Sequence, residues 1–199
     1  MCIRDREEGV KYNPDIVVLG FVFDDIYRNI LTFRDYAKPM YKIVNDGIEL
    51  TNLPVPPPEE MLKREAYKSK FIDLLNIAYQ RIRWKKGLNE KYAEKVTELI
   101  FDEMANNIKK AGAMPLFVYL PIGNEITSND FILRGERHLS EYCIKNDIDF
   151  LSIRPYFKKA AENGLALKTS GHYDASQHKI AAQAILDYMT GHDMVPNRR

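Results

Sequence analysis

The chain has 199 residues, 45% of them hydrophobic and 29% charged, which is enough for one well-filled core and fits one α/β domain better than two. Its 29 basic and 28 acidic residues leave a net charge of +1, so no overall field draws it to nucleic acid or to an anionic membrane surface, and nucleic-acid binding is set aside. No run approaches the ~20 apolar residues of a membrane span and no apolar signal-peptide core opens the chain, which therefore reads as soluble; Cys2 and Cys143 sit in no metal-type pair, so neither a disulfide framework nor a thiolate zinc site is expected and Cys143 reads as a buried helix residue.

In chain order, Met1-Cys-Ile-Arg-Asp-Arg6 resembles a translated sequencing-adapter sequence and reads as a non-native leader. Ile16-Val-Val-Leu-Gly-Phe-Val-Phe23 follows almost at once, a short, β-branched, uninterrupted apolar run typical of central parallel strands. A central strand needs neighbours on both sides, so residues 1–199 are expected to form one partial domain whose sheet lacks its N-terminal strand or strands. Asp24-Asp25-Ile-Tyr-Arg-Asn29 reads as the turn after this strand. Asp46-Gly47 between Tyr41-Lys-Ile-Val44 and Ile48-Glu-Leu50 signals a β-hairpin insertion within about 38–58, closed by the cluster Pro54-Val-Pro-Pro-Pro58.

Two helical stretches come next, Glu59 to Lys86 and Asn89 to Ala111, separated by Gly87; the second carries Tyr92, Val96, Leu99, Ile100 and Met104 at helical spacing. Gly112 closes it. Met114-Pro-Leu-Phe-Val-Tyr-Leu-Pro121 is the next buried strand, followed by a helix over Ser128 to Lys145, a strand over Asp149 to Arg154, a short helix through Ala160 and a C-terminal helix over Ala175 to Met189. This alternation predicts a parallel, flavodoxin-like sheet with helices on both faces, a three-layer α/β/α sandwich. Ligands of such sheets sit beyond the carboxyl ends of the strands, here Phe23-Asp24-Asp25, Leu120-Pro121-Ile-Gly-Asn124 and Arg154, with a loop bearing His172 beside them.

Pro14-Asp15-Ile-Val-Val-Leu-Gly20 followed by Asp24-Asp25 and Arg28-Asn29, a later strand ending Tyr119-Leu-Pro121, and a final Gly171-His-Tyr-Asp-Ala-Ser-Gln-His178 before a helix together resemble the SGNH/GDSL hydrolase superfamily over residues 8 to 190. In that family a serine in a Gly-Asp-Ser block attacks an ester, a C-terminal histidine takes its proton, a nearby aspartate orients the ring, and a glycine and an asparagine complete the oxyanion hole. The resemblance implies a serine esterase or acyl hydrolase acting on an ester or O-acyl (O-acetyl) group of a small molecule, carbohydrate or lipid, with no metal and no cofactor.

Carried over residue by residue, the resemblance makes His172 the catalytic histidine; the alternative is a surface-loop histidine that stabilises a helix N-terminus. Ser170 stands in the position of the orienting aspartate. Its hydroxyl can accept from an imidazole N–H but brings no charge to an imidazolium. Asp174 reads as the N-cap of the C-terminal helix, and His178 as a structural residue. Gly20 and Asp24 fall in the oxyanion region, where a carboxylate at position 24 would repel a developing oxyanion that an asparagine amide would stabilise. Asp24 is thus left to orient a loop or bind a sugar hydroxyl, and Asp25, Arg28 and Asn29 to anchor that loop or contact substrate, with plain turn chemistry as the alternative.

The serines are Ser69, Ser128, Ser140, Ser152, Ser170 and Ser176, and none follows Gly-Asp or sits in a Gly-x-Ser-x-Gly turn. The resemblance therefore places the nucleophile block upstream of Met1, and the fragment by itself is expected to be inactive. The same upstream segment would decide whether the parent is exported or membrane-anchored. A non-catalytic module that uses Tyr27, Tyr36 and Tyr173 to bind a glycan or other ligand is the other functional class. A metal site from His172, Asp174 and His178 is disfavoured, because this is not a recurring ligand spacing.

Overall fold

The structure, a computed structural model, describes residues 9–34, 36–67 and 69–195; the expected leader over residues 1–6 lies outside them. The chain divides into two compact units, one formed by residues 1–23 and 105–199 and the other by residues 24–104.

The first unit holds a three-stranded parallel sheet in the order β1-β4-β5, made of β1 (Ile16–Phe21), β4 (Met114–Tyr119) and β5 (Asp149–Ser152). β1 runs in register with β4 from Ile16 opposite Met114 to Phe21 opposite Tyr119, and β4 with β5 from Leu116 opposite Asp149 to Tyr119 opposite Ser152. The central strand is the most deeply buried: Leu116, Phe117, Val118 and Tyr119 have no exposed surface. Flanked on both edges, β4 can be apolar on both faces, as its continuous Leu-Phe-Val-Tyr run requires.

Alternation along β4 sends successive side chains to opposite faces. Leu116 and Val118 join Leu151, Ile153, Phe157, Ala181 and Ala184 in one core cluster, which brings in α6 (Arg154–Glu162) and α7 (Ala175–Gly191). Phe117, on the alternate register, stacks on Tyr142 of α5 (Arg134–Lys145) with ring centroids 6.1 Å apart. Cys143 of the same helix is a free, fully buried thiol, and burial pushes its pKa up to about 12.

Several boundaries differ from the sequence expectation. β1 stops at Phe21, and Asp24-Asp25 is not a turn but the acidic first turn of a short helix, α1 (Asp24–Arg28), where carboxylates complement the exposed N–H groups of a helix start. The helix expected from Ser128 begins only at Arg134. Ser128 and Asp130 close a local turn on each other instead, and Arg154 holds the carbonyls of Asp130 and Phe131 at 2.8 and 2.6 Å. The third strand ends at Ser152, because Ile153 turns helical and Pro155 sits in the first turn of α6.

The second unit contains the antiparallel hairpin β2 (Met40–Val44) and β3 (Gly47–Thr51). Its two-residue loop is Asn45-Asp46, with φ of 47° and 64°, and Gly47 already pairs with Val44. Both loop positions take the positive φ that a type I′ turn demands, and Asn and Asp tolerate it. The long helix expected over 59–86 is two helices, α2 (Pro58–Ala66) and α3 (Lys70–Lys85), with Ser69 extended between them at φ −70° and ψ 116°. α4 (Leu88–Lys110) follows. Within this unit Tyr27 of α1 lies 5.4 Å from the Trp84 ring of α3.

Candidate functional site

In the first unit the carboxyl ends of the strands gather a polar cluster built from two connections. The first is the segment after β4, where Pro121 is buried and Gly123 turns the chain with φ of 55°. Ile122 N–H donates to the Glu125 carboxylate at 2.9 Å, which closes this turn upon itself. The second is the loop before α7, where Gly171 adopts φ of 69° and lets the chain reverse just ahead of His172.

The two connections are fastened together. Tyr173 donates its hydroxyl to the Pro121 carbonyl at 2.6 Å, and a Cβ on Gly123 would lie 3.7 Å from the Thr169 carbonyl oxygen. The Tyr173 ring also packs edge-on against Phe157, 5.1 Å away, and against His178 at 5.7 Å. Burial, and then the charge of Glu125, raise the Tyr173 pKa above the ordinary tyrosine range, so this hydroxyl remains a donor at any physiological pH.

The start of α7 is held as the sequence suggests. Asp174 caps it, accepting from Gln177 N–H at 2.9 Å and from the Ser176 hydroxyl at 2.6 Å, while Gln177 accepts from Asp174 N–H at 3.2 Å. This is a capping box. Gln177, fully buried, also donates to the Lys168 carbonyl at 3.0 Å, so one side chain ties the helix start to the beginning of the loop. The hydrogen bonds from Ser176 and from Gln177 hold the Asp174 pKa below its usual value.

His172 therefore projects from a loop anchored on both sides while being itself exposed. Among the described residues its ring makes no hydrogen bond, and the exposed Ser170 hydroxyl makes none to it. His178 is engaged by Tyr173, and the described residues contain no group of three or more histidine, cysteine and acidic residues able to hold a metal ion.

Gly20 lies on β1, where a Cβ would stand 3.0 Å from the Leu120 side chain; its observed role is to admit Leu120. In the second unit Asp24 is exposed and Asp25 partly buried, and both pair with Arg28, at 3.5 and 3.1 Å. The acids at positions 24 and 25 thus stand one and nearly one helical turn before their cation, the spacing at which such pairs meet on a helix. Asn29 is buried and donates to the Thr97 hydroxyl at 3.0 Å, so it is an internal tie within its unit. Lys38 is pushed below the usual lysine pKa by burial.

A buried charge cluster was not anticipated from the sequence. Arg154 and Glu136, both nearly inaccessible, pair at 2.8 Å, and Glu136 also accepts from Leu133 N–H at 3.3 Å. The signal available was Glu three residues after Leu133 and a cation directly after a buried strand, both weak without knowledge of burial. Close by, the Tyr119 hydroxyl is buried with no hydrogen-bond partner among the described residues. Burial, and then the neighbouring Glu125 charge, raise its pKa well above the usual tyrosine value.

Comparisons of the chain with protein-family models, with curated proteins and with solved structures found no match.

Proposed function

We propose that the chain is the histidine-bearing portion of an SGNH-type serine hydrolase that cleaves an ester or O-acyl group of a small molecule, carbohydrate or lipid. The observation that carries this reading is the Tyr173–Pro121 hydrogen bond, which fastens the His172 loop to the carboxyl end of the central parallel strand, where sheets of this kind bind ligands. The accompanying fold is a three-layer α/β/α sandwich with a flavodoxin-like sheet that is completed by strands preceding β1. It is supported by the packing of α6 and α7 on Leu116 and Val118 and of α5 on Phe117.

In this mechanism one nitrogen of His172 takes the proton of a serine hydroxyl supplied by a Gly-Asp-Ser block upstream. The serine oxygen bonds to the acyl carbon, and the histidine then returns the proton to the departing alcohol oxygen. Water repeats the sequence to release the acid. Ser170 makes no hydrogen bond to the His172 ring and brings no negative charge, so the imidazolium forms without the electrostatic support of an aspartate. Asp24 and Asp25 are unsuited to hold an oxyanion, and their pairing with Arg28 engages them within the short helix α1; the oxyanion is left to backbone N–H groups.

A second reading, a glycan- or ligand-binding module without turnover, is favoured by where the serines lie. Ser140 sits in α5 and donates to the Arg137 carbonyl, Ser152 accepts from Arg154 N–H, and Ser176 is engaged in the α7 cap. Neither Ser69 nor Ser128 stands in a nucleophile turn.

The test is to express the chain with its in-frame upstream coding sequence and to assay hydrolysis of p-nitrophenyl acetate. The serine-hydrolase reading expects a Gly-Asp-Ser block after a strand, and a kcat/KM that falls by about 10³-fold or more in His172→Ala. On the same reading the chain of 199 residues by itself is expected to show no turnover above buffer. Equal activity of wild type and His172→Ala, or saturable carbohydrate binding with no hydrolysis, sinks the enzyme in favour of the binding module.

A further inference from the structure

α3 is a 16-residue helix with no buried residue at all. A helix of this length normally gains its stability by burying a stripe, yet Phe71, Ile72, Leu74, Leu75, Tyr79 and Ile82 are between 53% and 68% exposed. At 3.6 residues per turn these six side chains fall within one arc of about 160°. The opposite arc is polar, with Asp73, Asn76 and Gln80, and it joins Ile77, Arg81 and Trp84 around a shallow depression. Trp84, on that side, is the residue that meets Tyr27. The apolar stripe is therefore the side of α3 that its own unit leaves uncovered.

Charge indicates what covers it. Residues 70–86 carry five cations, Lys70, Arg81, Arg83, Lys85 and Lys86, against one acid, Asp73. The whole chain is only +1, so the rest is net acidic and this one helix concentrates the positive charge. The cations are also placed: Lys70 and Arg81 run along one border of the stripe, Arg83 along the other, and Lys85 and Lys86 close its end. An apolar stripe bordered by long cations, with Phe and Tyr among its side chains, matches the interface of a bilayer, where the stems lie against acyl chains and the charged heads reach lipid phosphates. The same cations would repel those of a second α3 packed against it.

We propose that α3 is an interfacial helix which binds the surface of an anionic membrane through Phe71, Leu74, Leu75 and Ile82, with Lys70, Arg81 and Lys85 on the lipid headgroups, while Arg83 stays bonded to Asn89 at 2.7 Å and to the Tyr79 hydroxyl at 3.2 Å. This is adsorption in the plane of the surface, not a span; no helix among the described residues is long and apolar enough to cross a membrane. The inference stands independently of the proposed hydrolase reading.

The experiment is flotation of the full chain with vesicles of phosphatidylcholine alone and of phosphatidylcholine with about 30% phosphatidylglycerol. Binding is expected to the anionic vesicles, weakening in about 0.5 M salt and on pure phosphatidylcholine. Leu75→Glu/Ile82→Glu and Arg81→Glu/Lys85→Glu are each expected to weaken it by at least about tenfold. Both pairs replace exposed side chains, and an unchanged emission from Trp84, the chain's single tryptophan, reports that α3 keeps its seat against Tyr27. No flotation with anionic vesicles, or wild-type flotation by the Leu75→Glu/Ile82→Glu variant with Trp84 emission unchanged, overturns the proposal. So does self-association in the absence of lipid that the same variant abolishes, which would assign the stripe to a second copy.

Discussion

Leu116 and Leu75 are the same residue in similarly apolar stretches of chain, one within Met114-Pro-Leu-Phe-Val-Tyr119 and the other at the end of Phe71-Ile-Asp-Leu-Leu75, yet Leu116 has no exposed surface and Leu75 is 54% exposed. β4 is enclosed because it has a strand on each side and helices contributing to the cores on its faces. α3 has its polar arc and Trp84 directed to its own unit and its leucines directed away. The contrast teaches that hydrophobic content measures what a segment can bury, while the position of its neighbours decides what it does bury.

The largest expected effect in the first unit comes from its buried ion pair. Glu136→Ala leaves the Arg154 guanidinium desolvated with only the two carbonyls of Asp130 and Phe131, and should cost about 3–5 kcal/mol by chemical denaturation. A loss below about 1 kcal/mol would mean that water reaches Arg154. The comparison itself is tested by truncating both leucines. Leu116→Ala should cost about 2–5 kcal/mol, through lost transfer energy and a cavity at the sheet, whereas Leu75→Ala should stay within about 0.5 kcal/mol as an exposed change. Equal losses would show that α3 is covered in solution by something that unfolding removes.

A smaller effect is expected where α5 meets Phe23, two residues past the end of β1. A Cβ on Gly135 would stand 2.6 Å from Phe23 Cδ2 and 2.9 Å from its Cβ. The second atom is the root of the side chain and cannot swing away, so Gly135→Ala should lower stability by about 1–3 kcal/mol. A neutral result in thermal melts would show that α5 shifts freely over Phe23.

The candidate site divides along the same line between local and distant contacts. Asp174 as the cap of α7 was legible, because a capping bond reaches only three residues ahead and the pattern Asp-x-x-Gln specifies it. The hairpin was legible too, although its φ-positive positions proved to be Asn45 and Asp46, with Gly47 left to begin a strand. Asn29 was read as a loop or substrate residue and is instead bonded to Thr97, 68 positions away. The Glu136–Arg154 pair, separated by 18 positions, and the Tyr173–Pro121 bond, separated by 52, leave no periodic trace that a sequence window can detect. The net charge of +1 is likewise silent on distribution: residues 70–86 hold five cations against one acid, four of them on α3 and the fifth, Lys86, at its C-cap.

The sequence by itself determined the parallel strands, the hairpin, the helix that carries Asp174 and the histidine loop ahead of it, because backbone sterics, capping and hydrophobic period act over a few residues. Only the tertiary structure decided that Asp24 and Asp25 open a helix paired to Arg28, that Arg154 is buried on Glu136, that the His172 loop is fastened to the end of β4, and that the leucines of α3 remain uncovered. Those outcomes depend on which surfaces meet across long loops, and burial, which sets the strength of each polar contact, exists only once they have met.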